Sequence, residues 1–177
     1  MSSDGVRETT LRLDAHTGTH IDAPSHFLPD GTTIDQLNLK TVIGGAKVVD
    51  CTEVAEKITD EFLADHNIQE GDIILLKTIN SQTNATDAFS AQFVYLDATG
   101  AQFLARKKIK AVGIDYLGIE RDQKGHPTHK ELMKHSITII EGLRLGGVQP
   151  GVYDFICLPL ALIGLEAAPA RAILIEK

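Results

Sequence analysis

The sequence predicts an α/β fold, and two observations carry that expectation. Apolar runs of strand length recur at Ala46–Cys51, Ile73–Lys77, Ala111–Asp115 and Ile137–Ile140, and their near-continuous apolar character is that of strands buried on both faces. Between them lie short stretches that open on Thr or Asp, the alternation expected when helices flank a sheet. A hydrophobic content of 43% over 177 residues is enough for one core, so a single domain spanning 1–177 is expected, with no linker. Spacing alone leaves the strand order open.

Taken in order, Arg7 to Leu13 alternates polar and apolar residues around Thr9 and Thr10 and is expected to be a strand. It leads into a bent loop from His16 to His26, where Gly18, Thr19 and Pro24 oppose a regular helix. Leu28-Pro29-Asp30-Gly31 marks a turn, and Thr33 to Leu39 is expected to form one short helix capped by Thr32 or Thr33. Thr59 or Asp60 caps a helix through Asn67 with Phe62 and Leu63 facing inward, and Gln69 to Asp72 turns the chain back into the Ile73 strand. The segment Asn80 to Ala88 is polar and aperiodic, as a solvated surface loop would be. Asp97 or Thr99 opens a helix to Lys108, where Arg106, Lys107 and Lys108 complement the carboxyl end of the helix dipole and so have a structural reason for their charge. Thr128 is expected to cap a helix from His129 to Lys134. The final segment, PGVYDFICLPLALIGLEAAPARAILIEK, reads as two apolar strands around a loop containing Gly164 and Pro169.

Charge excludes some classes of partner. Seventeen basic against twenty-four acidic residues leave a net charge of −7, which repels phosphate backbones and anionic lipid, so no nucleic-acid partner is expected. The stretch MSSDGVRETT has no apolar run to act as a signal sequence, and nothing approaches the roughly 18 apolar residues of a membrane span. Cys51 and Cys157 sit in separate apolar runs and read as buried, reduced thiols, in keeping with a cytoplasmic location and no membrane partner.

The chemistry is concentrated in HTGTHIDAPSH. Three of the seven histidines and a carboxylate fall between His16 and His26. Solvated histidines in a polar loop are the plainer alternative, and the clustering argues against it. Neutral imidazole and carboxylate are the natural ligands of borderline divalent metals, and a bend at Gly18 can turn His16, His20 and Asp22 inward together. Glu141, at the end of an apolar strand, is a costly place for a charge unless it is paired or bound to a cation. The helix before that strand is surrounded by His126, His129 and His135, and the residues alone do not choose among them. Phe27, Phe89, Phe93, Tyr95 and Tyr116 are available to line a pocket for a flat aromatic substrate, although most are expected in the core.

His-x-Gly-Thr-His-x-Asp-x-Pro-x-His, met by His16, Gly18, Thr19, His20, Asp22, Pro24 and His26, resembles the signature of the cyclase family of metal-dependent hydrolases, which includes bacterial kynurenine formamidase and isatin hydrolase. Val112-Gly113-Ile114-Asp115, Leu158-Pro159-Leu160 and Ala168-Pro169-Ala170-Arg171-Ala172 are similar to further segments of that family. The chain departs from the pattern at Tyr116-Leu117-Gly118, where the family often has a serine-containing loop, and at Glu166-Ala167, where it often has Asp-Gly. The family's opening strand and Pro-Gly-rich loop have no counterpart before Arg7, so a shortened chain is expected to lack part of a pocket wall or subunit contact. Arg171 is expected either to tie the closing loop to a carboxylate or to face solvent.

The resemblance implies a swivelling β/β/α-type domain, a mixed sheet with flanking helices. It implies His16, His20 and Asp22 on one Zn²⁺ or Mn²⁺, with Asp22, His129 and Glu141 available to a second, and His26 as general acid/base. It implies hydrolysis of a linear or cyclic amide by activated water, with no nucleophilic side chain, in a homodimer or larger homo-oligomer. Two competing readings remain: a non-haem Fe(II) oxygenase built on His20, Asp22 and one distant His, and a metal-binding protein without turnover.

Overall fold

The computed structural model describes residues 5–83 and 87–176. Its centre is a closed barrel of seven strands, and the expected mixed sheet with flanking helices is present, rolled until its edges meet. In chain order the strands are β1 (His20–Asp22), β2 (Ile43–Asp50), β3 (Lys57–Ile58), β4 (Ile73–Lys77), β5 (Tyr95–Leu96), β6 (Ala111–Ile114), β7 (Thr138–Glu141), β8 (Gly151–Pro159) and β9 (Ala167–Ile175), with helices α1 (Asp60–Ala64), α2 (Ala98–Lys107) and α3 (Pro127–Lys134). β2, β4, β6 and β7 are parallel neighbours; β8, β9 and β1 close the barrel with antiparallel ladders. β3 and β5 form a separate two-stranded parallel sheet.

Strand alternation sorts the core into two compartments. Ile73, Leu75, Ala111 and Ile140 point into the barrel with Ile21, Ala46, Val48 and Phe155. Their neighbours Ile74, Leu76, Val112, Ile114 and Ile139 point outward and are covered by Leu63 of α1, Leu104 of α2, and Leu132 and Met133 of α3. The unbroken apolar runs in the sequence therefore belong to strands covered on both sides. No helix of the described residues is long and apolar enough to cross a membrane.

Most caps are where composition places them. Thr59 accepts from the Phe62 amide to start α1, and Asp97 accepts from the Thr99 amide to start α2, which closes on Lys108 in the left-handed region. Gly31 closes the expected turn on Leu28. Cys51 and Cys157 are buried free thiols, and burial pushes the latter's pKa up to about 12.

Several elements differ from expectation. Residues 7–13 are exposed and join no strand of the described chain, because alternation makes a strand only where a neighbour accepts its backbone bonds. The helix expected at Thr33–Leu39 is reduced to the 3₁₀ turns Ile34–Gln36 and Leu39–Thr41; Thr33 and Gln36 complete a capping box around the first. α1 stops at Ala64. Thr128 does not cap α3: its hydroxyl is buried and donates to the Leu96 carbonyl, while His126 is the N-cap residue and Pro127 takes the first turn. Pro169 lies within β9, opposite His20, and only Gly164 is in the connecting loop. Of the loop expected from Asn80 to Ala88, Asn80 is buried and clasps both backbone groups of Val94, and residues 84–86 lie outside the described residues.

Candidate metal centre

The His16–His26 segment is not all loop. His20–Asp22 forms β1, a strand of three residues inserted between β7 and β9. Alternation then does what a bend was expected to do: Ile21 enters the barrel core, and His20 and Asp22 share the opposite face. Across the ladder His20 pairs with Glu141, whose neighbour Ile140 also points inward, so Glu141 joins His20 on the outer face. α3 lies over this face. It buries Leu132 and Met133 against Ile139, and the same helical side carries His129 one turn earlier.

The donor atoms that result are close together. His20 Nε2 lies 3.4 Å from Asp22 Oδ1 and 3.3 Å from Glu141 Oε2. His129 Nε2 lies 3.3 Å from Glu141 Oε1 and 3.7 Å from Asp22 Oδ2. His16 Nδ1 lies 3.1 Å from Asp22 Oδ1, and the His26 ring packs against the His16 ring, tilted by 42° with centroids 4.3 Å apart. His16, Asp22 and His26 form one group that could hold an ion, and His20, Asp22 and Glu141 form another. Asp22 is common to both. The structure thus gathers the donors of His16, His20, His26, His129 and Glu141 around Asp22, whose Oδ1 faces His16 and His20 and whose Oδ2 faces His129; His20 lies about as near to Glu141, and His26 stands beside His16.

These donors fit a divalent cation. His20 Nε2 and both carboxylate oxygens of Asp22 are buried without a hydrogen-bond partner among the described residues, as are His16 Nε2 and Ser25 Oγ beside them in the sequence, a costly concentration in one segment. Ligand atoms about 2.0–2.2 Å from a tetrahedral ion are separated from one another by roughly 3.3–3.6 Å. The spacing here is of that size. His20 Nδ1 lies 2.9 Å from the Gly18 carbonyl; a carbonyl only accepts, so Nδ1 carries the proton and Nε2 is the atom turned to the cluster.

Without a cation, protons take its place. Burial disfavours a charged His20, but Asp22 and Glu141 outweigh it and bring its pKa to about 10. For His129 burial is likewise overcome, by Glu120, Glu141 and Asp22, to about 9. Burial opposes ionisation of Asp22 and Glu141 too, yet the neighbouring imidazoles hold both below the usual carboxylate range. His26 goes the other way: half-buried, it has a pKa lowered by desolvation, against the pull of Asp22.

Glu120 was not among the expected site residues. Its carboxylate lies 2.5 Å from His129 Nδ1. In the sequence it is one of three neighbouring acids, Asp115, Glu120 and Asp122, and nothing there relates it to His129. Glu166 also approaches the cluster, with its oxygen 3.8 Å from His16 Nε2. His126 is 55% exposed and His135 51%, and neither belongs to the Asp22 cluster. Of the Phe and Tyr side chains among the described residues, Phe27 alone makes a ring contact with these donors, 4.2 Å from the His26 ring and 4.5 Å from that of His129. Phe93, Tyr95 and Tyr116 form a small buried cluster of their own, edged by exposed Phe89. Arg171 is exposed and pairs with no carboxylate of the described residues. A cavity of about 240 Å³, lined by Thr41, Thr138 and Met133 among others, reaches Asp22; a second of about 630 Å³, lined by Leu75, Leu143 and Phe155 among others, holds none of the donors.

The Cyclase family profile, described as "Putative cyclase", matches residues 3–121. The kynurenine formamidase of Bacillus cereus is 34% identical over 97% of this chain and 81% of its own length. The chain belongs to the cyclase family. "Cyclase-like protein 3" of Oryza sativa is 37% identical over 97% of this chain, which spans 66% of that protein's length. Among solved structures, one titled "potential metal-dependent hydrolase with cyclase activity" superposes with a TM-score of 0.88 at 48% identity, covering 92% of this chain and 80% of the other. Within this cyclase-family chain the motif from His16 to His26 and the distant pair His129 and Glu141 meet in space. The Fe(II) triad reading is not favoured, since it leaves His16 and His26, both gathered at Asp22, without a role.

Proposed function

We propose that this cyclase-family chain is a metal-dependent hydrolase of a non-peptide carbon–nitrogen bond, acting on a small linear or cyclic amide such as the formamide that the name of its Bacillus relatives implies. One observation carries the reading: buried, unpartnered His20 Nε2 and Asp22 oxygens face Glu141, His129 and His16 at ligand-to-ligand spacing. His16, His20, Asp22, His129 and Glu141 would hold one or two ions, with Zn²⁺ or Mn²⁺ suited to the nitrogen and oxygen donors. When bound, such an ion supplies Lewis acidity, lowering the pKa of water from about 15.7 toward 7 and polarising the amide carbonyl.

The remaining work falls to the chain's own groups. Asp22 can give one oxygen to each side of the cluster. Its neighbour His26 is the base best placed to take a proton, because burial lowers its pKa and keeps it uncharged near neutral pH, whereas His20 and His129 would be engaged as ligands. His26 then returns that proton to the departing nitrogen. Phe27 packs on the rings of both His26 and His129 and limits their rotation. A second role for His26, as a ligand beside His16 and Asp22, is favoured by the spacing of those donors.

A homodimer or larger homo-oligomer and a cytoplasmic location belong to the same proposal. Exposed Ile43, Leu158, Ile173 and Ile175 on neighbouring strands β2, β8 and β9 support assembly. The net charge of −7 supports a small-molecule partner over nucleic acid or anionic lipid. The function is tested by elemental analysis of protein purified without chelator, followed by a panel of aryl formamides, cyclic imides and lactams with Zn²⁺ or Mn²⁺ added. Hydrolysis of one class that is abolished by chelator and restored by metal is the expected result. Bound metal with no turnover across the panel would support the binding-protein reading.

A further inference from the structure

Glu120 is a buried carboxylate in need of an explanation. Its side chain is 2% exposed, and its ion-pair partners among the described residues are two histidines: His129 at 2.5 Å and exposed His126 at 4.0 Å. A carboxylate withdrawn from water without a fixed cation is costly unless hydrogen bonds replace its hydration. Here three donors do so, all from the start of α3. One oxygen accepts from the Thr128 amide at 3.4 Å; the other accepts from the His129 amide at 3.2 Å and from the His129 ring Nδ1 at 2.5 Å. Capping of α3 accounts for the two backbone bonds, since His126 provides no side-chain cap. It does not account for the ring contact, which is the shortest of the three.

The ring contact decides how His129 can act. A carboxylate only accepts, so Nδ1 carries the hydrogen and Nε2 is left to face Glu141 and Asp22. The amide contact anchors the backbone from which that ring projects, so one carboxylate sets both its origin and its direction. We propose that Glu120 is a positioning residue, which fixes the tautomer and orientation of His129 so that Nε2 is presented to a divalent cation. This rests on the reading of His129 as a metal ligand. A carboxylate behind a ligating imidazole also makes its free nitrogen a stronger donor, and loss of such a partner typically weakens metal binding about 10–100-fold.

The test uses the full chain, stripped with chelator and titrated with Mn²⁺ against a competing chelator, as wild type, Glu120→Gln and His129→Ala. Gln keeps the size but has one oxygen where Glu120 uses two: set at the Thr128 amide, it turns its NH2 group to Nδ1 and favours the wrong tautomer; set at Nδ1, it keeps the tautomer but removes the negative charge behind the ring. We expect Glu120→Gln to weaken a manganese-binding step about 10–100-fold while the metal-free melting temperature stays near that of wild type, and His129→Ala to lose the same step. A wild-type binding curve for Glu120→Gln, or a fall in melting temperature with unchanged manganese affinity, would mean that Glu120 only caps the helix. If His129→Ala itself binds manganese as wild type does, the ligand reading fails and this proposal with it. Should Glu120→Gln not fold, nitrogen NMR of the zinc-loaded wild type decides: Nδ1 of His129 must carry the proton, and a zinc-bound or unprotonated Nδ1 overturns the assignment.

Discussion

His20 stands directly across the ladder from Glu141, and its Nε2 lies 3.3 Å from the carboxylate Oε2. One cross-strand pair thus joins the histidine-rich segment near the start of the described chain to the acid that follows α3. Because the pair sits on a barrel wall whose other face is packed, a change in either residue acts on the cluster more than on the core.

Asp22 is common to both groups of donors, so it should be the most sensitive position. Asp22→Asn keeps the shape and removes the charge. We expect bound metal to fall below a tenth of the wild-type level, on the order of the 10–100-fold losses seen when support of a metal site is removed, and hydrolysis to fall with it. Elemental analysis beside a circular-dichroism melt separates loss of metal from loss of fold.

His26→Ala should behave differently. With a proton-transfer role its loss costs roughly 10²–10⁴-fold in kcat, with metal content retained. Elemental analysis of this variant decides between its two roles: an emptied cluster would make His26 a ligand.

The pH dependence of the metal-free protein follows from the histidines. His20 and His129 are raised from 6.5 to about 10 and about 9. A raised folded-state pKa stabilises fully below the unfolded value and is lost as pH climbs through the folded one. Chelated protein should therefore lose stability to urea from about pH 6.5 up to pH 9–10. Metal binding must expel these protons, so apparent affinity should rise over the same window and binding should release protons. Calorimetry in buffers of different ionisation enthalpy measures that release, and a pH-independent affinity would contradict the assignment.

Gly142 tests how tightly the two halves of the cluster are held. It has φ +68°, and a Cβ there would lie 2.3 Å from the Gly18 carbonyl oxygen. Thr19 donates to the Gly142 carbonyl across the same contact at 2.7 Å. Gly142→Ala should cost at least about 1–3 kcal/mol, from the left-handed conformation and the clash together, and should lower metal affinity by moving Glu141 from His20. A thermal melt and a metal titration on one sample check both.

By itself the sequence determined the class of the fold, the runs that form β4, β6 and β7, the starts of α1 at Thr59 or Asp60 and of α2 at Asp97 or Thr99, and the donor types, because these are written in local periodicity and in clustered His and Asp residues. His129 could be singled out from His126 and His135 only through a family motif, since nearby residues of one type look alike along a chain. Tertiary structure alone decided that His20 and Asp22 share a strand face, that the sheet closes into a barrel, and that Glu120 backs His129. It also decided that residues 7–13 join no ladder. The physical reason is common to all of these: each depends on what a residue meets across a ladder or under a helix, and such partners are brought near only by the path of the whole chain.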